Sequence, residues 1–233
     1  MANKLKSIFT SDLVQIDHYK CGEEPHSKSD IEIIETYEIS ISRRGYFFLK
    51  VRNTQYDIYT EYLMLGNKDM EYSVSHGKHV DDESTIFRIK RELLEEVRSY
   101  YWHKDFKIQS LPDKKDEIIF PLPALKSNPG FDSTHLLILN SISEAQHKNT
   151  LLKIELLALS LIEDVFREIY SNGPEAENPP KFKSIHLDTI ELAKSFIAQN
   201  FKRDISLSEI ASSSFLTPFH FTRIFKKYTG LSP

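Results

Sequence analysis

Thr217-Pro218-Phe219-His220-Phe221-Thr222-Arg223-Ile224-Phe225-Lys226-Lys227-Tyr228, with Ser206-Leu207-Ser208-Glu209-Ile210-Ala211 before it, decides how this chain is read. Ser206 and Glu209 have the Ser-x-x-Glu spacing in which two side chains satisfy each other's orphan backbone donors at a helix start. Leu207, Ile210 and Ala211 then share one helical face. The break Ser213-Ser214-Phe215-Leu216 follows. Thr217 caps a second helix, and Pro218 stands first inside it, where a missing N–H costs nothing. Gly230 is placed to stop it. The 3.6-residue period turns Phe221, Ile224 and Phe225 inward and leaves Thr222, Arg223, Lys226 and Lys227 outside.

Working outward, a further helix is expected over 188–200, with Asp188 and Glu191 in capping-box spacing and an apolar stripe of Ile190, Ala193, Phe196, Ile197 and Phe201. Residues 171–180 contain Gly173, three prolines and charge but no large apolar residue, which reads as a linker. Charge divides at the same place. Residues 181–233 carry eight basic and four acidic side chains, a net +4, so the −4 of the whole chain leaves −8 for residues 1–180. A basic segment on an acidic body points toward a nucleic-acid partner for that segment.

A short helix, a turn and a second helix with an outward basic face form a helix-turn-helix, whose second helix enters the major groove. The string from Ile205 to Pro233, ending Phe225-Lys226-Lys227-Tyr228-Thr229-Gly230-Leu231-Ser232-Pro233, resembles the first helix-turn-helix of AraC/XylS-type bacterial transcription regulators. That resemblance covers about fifty residues. It implies a DNA-binding regulator, most often an activator that also contacts RNA polymerase, acting on double-stranded DNA. It implies base-edge contacts from Phe219, Thr222 and Arg223. Arg is the natural bidentate reader of guanine, and Thr222 and Phe219 suit a thymine methyl. Lys226 and Lys227, with Ser206 and Thr217, are assigned to phosphates, which give affinity without sequence information. AraC-type domains carry two helix-turn-helix units joined by a long helix. That helix is expected just past Pro233, so the sequence reads as ending after the first unit, as a fragment or a natural short product.

Upstream, Ile, Val, Tyr, Phe and Thr gather in short runs at 31–41, 46–51, 56–65, 70–75 and 85–89, separated by turn-like stretches such as Arg43-Arg44-Gly45 and Gly66-Asn67-Lys68-Asp69. Strands at such spacing make a sandwich or barrel. The family resemblance favours a cupin-like barrel, carried by Arg44-Gly45-Tyr46-Phe47 and Tyr72-Ser73-Val74-Ser75-His76-Gly77. Helical periods follow at 91–103, 130–142 and 148–170, with a proline-bearing loop at 111–129. The 148–170 helix is apolar on more than one side. It either packs on the barrel and a neighbouring helix or pairs with a second subunit.

The expected fold is therefore α+β: a cupin-like barrel over 1–90, a dimerising helical region over 91–172, a linker at 173–183 and a partial all-α helix-turn-helix domain over 184–233. A barrel interior with Tyr37, Phe47, Tyr59, Tyr62 and Tyr72 has the aromatic character to hold a small effector, which the sequence does not name.

Other classes have less support. With seven glycines and no GxGxxG or GxxxxGK[ST], no phosphate cradle is expected. Neither HExxH nor GxSxG occurs, and no nucleophile set is evident, so no enzyme and no cofactor are expected. His76 and His79 lie among Asp81, Asp82 and Glu83, but the Gly-x5-His-x-His pattern of metal cupins is missing, so no metal is expected. The single cysteine, Cys21, excludes an intramolecular disulfide and reads as an inert buried residue, with redox sensing as the alternative. No apolar run approaches membrane-span length and no signal peptide is evident, so a cytoplasmic protein without a membrane partner is expected. Two rivals to the regulator remain. One is a partner that does not bind DNA and forms mixed dimers with a full-length relative. The other is a metal- or ligand-binding cupin-like protein.

Overall fold

Alternation along the strands determines which way each sheet faces. The computed structural model describes residues 4–21, 29–76, 82–102, 118–144, 150–172, 184–229 and 231–233. One antiparallel sheet runs in the order β1 (Lys4–Thr10), β2 (Val14–Lys20), β9 (Glu83–Ile89), β4 (Tyr37–Arg44), β7 (Tyr62–Gly66), β10 (Ala124–Lys126). A second runs β3 (Glu32–Ile33), β8 (Glu71–His76), β5 (Tyr46–Val51), β6 (Thr54–Tyr59). In the first sheet Val14, Ile16, Ile39, Ile41, Phe87 and Ile89 point to one face and join a buried core with the helices. Their neighbours Glu38, Ser40, Ser84 and Ile86 point the other way and wall a cavity shared with Phe47, Tyr72 and His76 of the second sheet. A period of two thus gives one oily face and one polar, cavity-lining face. The two sheets oppose each other as an open antiparallel barrel.

Three helices cover the oily face: α1 (Arg91–Trp102), α2 (Pro129–Ser143) and α3 (Thr150–Asn172). Asn128 caps α2 by accepting from the Gly130 and Phe131 N–H groups, with Pro129 first inside the helix. His135 of α2 reaches Thr85 of β9 at 2.9 Å, and burial drives its pKa down to about 4. It is a neutral core histidine.

The far side of the second sheet carries α4 (Ser184–Asn200), α5 (Leu207–Ser213) and α6 (Pro218–Thr229). Leu187 and Ile190 of α4, with Ile224 and Tyr228 of α6, join the core formed by Tyr46, Leu49, Ile58 and Tyr59.

Several expectations change. The 31–41 run breaks into β3 and β4, and the 56–65 run turns at Thr60-Glu61 into β6 and β7. The sheet domain does not close at residue 90, because β10, from the proline-bearing loop, pairs with β7. The Asp188/Glu191 capping box is wrong: α4 starts at Ser184, so neither residue is at its end. Both are instead buried, at 8% and 2% exposure, and face the barrel. Tyr46 Oη donates to Asp188 Oδ1 at 2.9 Å, and the Gly45 N–H donates to Glu191 Oε2 at 3.0 Å. Gly45, at φ 76°, makes the tight β4–β5 turn that aims this N–H at the helix. Three-residue spacing puts two carboxylates on one helix face wherever it falls along the helix. The expected linker at 173–183 lies outside the described residues, as does Gly230.

Candidate nucleic-acid interface

The C-terminal unit is held by a small core of its own. Ala193, Ile210, Ala211 and Phe221 are buried together, with Phe196, Ile197, Leu216 and Phe225 packed around them. The starts of α5 and α6 match the sequence reading. Ser206 Oγ accepts from the Glu209 N–H at 3.2 Å while Glu209 Oε2 accepts from the Ser206 N–H at 2.9 Å. Arg203 Nη1 adds a contact to Glu209 Oε1 at 2.8 Å. The Ser206 backbone bond, then the Arg203 and Ser206 side-chain bonds, hold the Glu209 carboxyl down at about 2. Thr217 Oγ1 accepts from the His220 N–H at 3.4 Å at the start of α6. Between the helices Phe215 takes a left-handed φ of 58°.

Burial sorts α6 into two faces. Phe221, Ile224 and Tyr228 are buried, whereas Phe219, Arg223, Lys226 and Lys227 are exposed. Phe219 is 81% exposed, so it is not a packed core aromatic. Among the described residues, Arg223, Lys226, Lys227 and Lys202 take no acidic partner, while two other cations of this unit do. Arg203 is paired with Glu209, and Lys194 lies 3.4 Å from both Glu61 and Glu191. Positive charge left without a partner therefore concentrates on the outer face of α6, and its last turn carries Lys226 and Lys227. Thr222 Oγ1 donates to the Pro218 carbonyl at 2.8 Å, so its hydroxyl is committed within the helix and the methyl is the apolar surface it offers. Ser206 Oγ also donates to Glu209 Oε2, which places a carboxylate beside that candidate phosphate ligand.

The aromatic pocket set is corrected. Only Phe47 and Tyr72 line the barrel cavity, whose volume is about 150 Å³. Tyr37 lies in the core on the opposite face of its sheet, by the parity of its strand. Tyr59 and Tyr62 pack against each other at 5.0 Å in the core shared with α4 and α6. The cavity walls are more polar than the sequence reading allowed. Glu38 stands in them with its pKa raised to about 7 by burial, opposed by Arg88 and reinforced by Asp17 and Glu32. Tyr72 Oη donates to Glu32 Oε2 at 2.9 Å.

His76 and Asp82 of the cavity wall meet Cys21 behind it, a nucleophile set that the sequence did not show. Cys21 Sγ is 3.6 Å from His76 Nε2, and His76 Nδ1 is 3.0 Å from Asp82 Oδ1. Their ligand atoms all fall within 4.8 Å of one another. An ion taken by Sγ and Nε2 would leave Asp82 orienting the imidazole. With an Asp82 oxygen turned to the ion instead, the cluster offers three protein ligands, one fewer than a closed structural zinc site uses. His79 lies outside the described residues. Among the described residues, no helix is long and apolar enough to cross a membrane.

Comparison with known proteins gives three results. Residues 197–233 match the family of bacterial regulatory helix-turn-helix proteins of AraC type. No curated protein sequence matches the chain. Among solved structures, the chain is similar to the apo form of a ToxT variant from Vibrio cholerae, with TM-score 0.52 and 13% identity over 96% of each chain. At that identity the likeness concerns the fold. Wild-type ToxT of Vibrio cholerae bound to an unsaturated fatty acid gives TM-score 0.43 and 14% identity, over 96% of this chain and 94% of that one. A cupin superfamily protein of Desulfitobacterium hafniense gives TM-score 0.32 and 15% identity, over 38% of this chain and 79% of that one.

Proposed function

We propose that this chain, a DNA-binding transcription regulator of the AraC type, reads a promoter through the outer face of α6. It works by binding rather than catalysis. The observation that carries the reading is the run of cations on α6, set on a packed and capped helix pair. Arg223 reads a base edge, with Phe219 and the Thr222 methyl beside it. Lys226 and Lys227 meet phosphates. Once bound, the regulator contacts RNA polymerase and activates. The front domain supplies control. A cavity of about 150 Å³ takes a benzene-sized effector.

Dimerisation belongs to the same reading. Leu136 and Leu137 of α2, and Leu151, Leu152 and Leu156 of α3, are 50–61% exposed on a pair of packed helices. The N-terminal half of α3 thus presents leucines to solvent while the apolar side chains of its C-terminal half are buried, and such a patch suits a subunit interface. Two half-sites on DNA compensate for the few base pairs that one helix reads.

Binding to promoter fragments, followed by fluorescence anisotropy across salt concentrations, tests the proposal. Arg223→Ala is expected to cost about 1–3 kcal/mol and relax preference at one base pair. Lys227→Ala is expected to weaken binding to all sequences and lower the salt slope by about one. Absence of any salt-sensitive, sequence-dependent binding at micromolar protein would remove the DNA-reading claim.

A further inference from the structure

The Cys21–His76–Asp82 chain has no part in DNA recognition. Cys21 follows the end of β2 and its N–H donates to the Asp82 carbonyl at 2.9 Å, which closes the β2–β9 pair. His76 ends β8 in the opposing sheet. Strands from both sheets are therefore needed to build the cluster. All three residues are buried, at 5%, 9% and 2% exposure, and His76 and Asp82 wall the barrel cavity.

The order of contacts sets the chemistry. An ionised carboxylate only accepts, so the proton of the imidazole sits on Nδ1, facing Asp82. Nε2 then faces the sulfur as a base. A thiol proton moving to Nε2 leaves a thiolate beside an imidazolium, and Asp82 stabilises that cation. This is the logic of a base-activated nucleophile, with a third group orienting the base.

We propose that Cys21 is a peroxide-reactive thiol activated by His76, and that the cavity admits a small hydroperoxide to it. The inference is independent of the DNA-binding reading. The Cys21 thiolate attacks the terminal peroxide oxygen. The S–O bond forms, the O–O bond breaks, and the leaving hydroxide or alkoxide takes the proton from Nε2. Thiol and hydroperoxide become sulfenic acid and water or alcohol. The thiol is oxidised and the peroxide reduced. The chain has no second cysteine, so the product persists as sulfenic acid until an external thiol condenses with it. Burial of Cys21 and the small cavity favour a reagent of this size over bulky electrophiles.

The test treats the full chain with hydrogen peroxide at a series of pH values. A carbon-acid sulfenic probe traps the product, which is followed by intact mass. The expected rate constant at neutral pH exceeds that of free cysteine at least about ten-fold, and stays nearly level down to about pH 6. Other titratable groups of the cavity are Tyr19, Glu32, Glu38 and Tyr72, and Glu38 titrates near 7. A pH dependence that Glu38→Gln removes would belong to Glu38 and count against the Cys21–His76 assignment. Cys21→Ser abolishes trapping. His76→Gln slows it about ten-fold or more with an unaltered thermal melt, and Asp82→Asn slows it less. A wild-type rate no faster than free cysteine, rising toward the ordinary thiol pKa of about 8.5, overturns the proposal without any variant. So does stoichiometric zinc in the purified chain that Cys21→Ser loses.

Discussion

The contact between Tyr46 and Asp188 is expected to bind the C-terminal unit to the barrel strongly enough to measure. Both groups are buried, and Tyr46 Oη donates to the carboxylate at 2.9 Å. A hydrogen bond to a charged group contributes about 1.5–3 kcal/mol, because removing the donor leaves a desolvated anion with one partner fewer. Tyr46→Phe keeps the ring, and with it the edge contact to Phe48 at 5.5 Å, so the lost hydroxyl dominates the effect. The expected loss is about 2 kcal/mol. Asp188→Ala removes the other partner, and the double variant closes the cycle. Urea denaturation followed by far-UV circular dichroism gives the four stabilities. The coupling energy is expected to be about 1.5 kcal/mol, well above the 0.3–0.5 kcal/mol scatter of independent sites. A coupling inside that scatter would mean that the Tyr46–Asp188 bond does not help hold α4, which would then rest on Leu187, Ile190 and the Gly45–Glu191 contact, and this part of the docking account would fail.

Four further outcomes follow from the same structure. Glu38 has a folded-state pKa raised from 4.5 to about 7, so its ionisation opposes folding, and stability should fall as pH rises through that interval. Glu38→Gln is expected to raise stability at pH 8 by about 1–3 kcal/mol and to change little at pH 4, as thermal melts at both pH values would show. Ser206→Ala removes the cap of α5 and should cost about 1 kcal/mol. Glu209 contributes with the opposite sign from Glu38. Its carboxyl is held at about 2, so its contribution is complete above the ordinary carboxylate range and is lost as pH falls toward 2. Glu209→Gln should therefore flatten the acid limb of the melting curve. Leu152→Glu with Leu156→Glu should convert a dimer to monomer in sedimentation velocity while the helices remain, since both side chains are more than half exposed.

Much of this molecule is legible in short windows of sequence. Ser206 and Glu209, Thr217 with Pro218, and the period of Phe221 and Ile224 each act within one or two helical turns, and the structure places all of them as read. Strand β5 coincides with its apolar run. Splits inside longer runs were not legible, because Thr60 and Glu61 carry no strong turn signal. Nor was β10, whose three residues are too few for a periodic pattern and gain strand geometry only by pairing with β7.

The sequence by itself determined the helix-turn-helix and its two faces, because caps and amphipathic periods are local properties of the chain. Only the tertiary structure decided what Asp188 and Glu191 do. Their spacing fits a helix cap and a buried docking face equally well, and the choice depends on Gly45 and Tyr46, more than 140 positions away in sequence. The same holds for Cys21 and His76, 55 positions apart, which only the closing of two sheets brings within 3.6 Å. Reactivity there depends on which nitrogen faces which atom, and that is settled by packing.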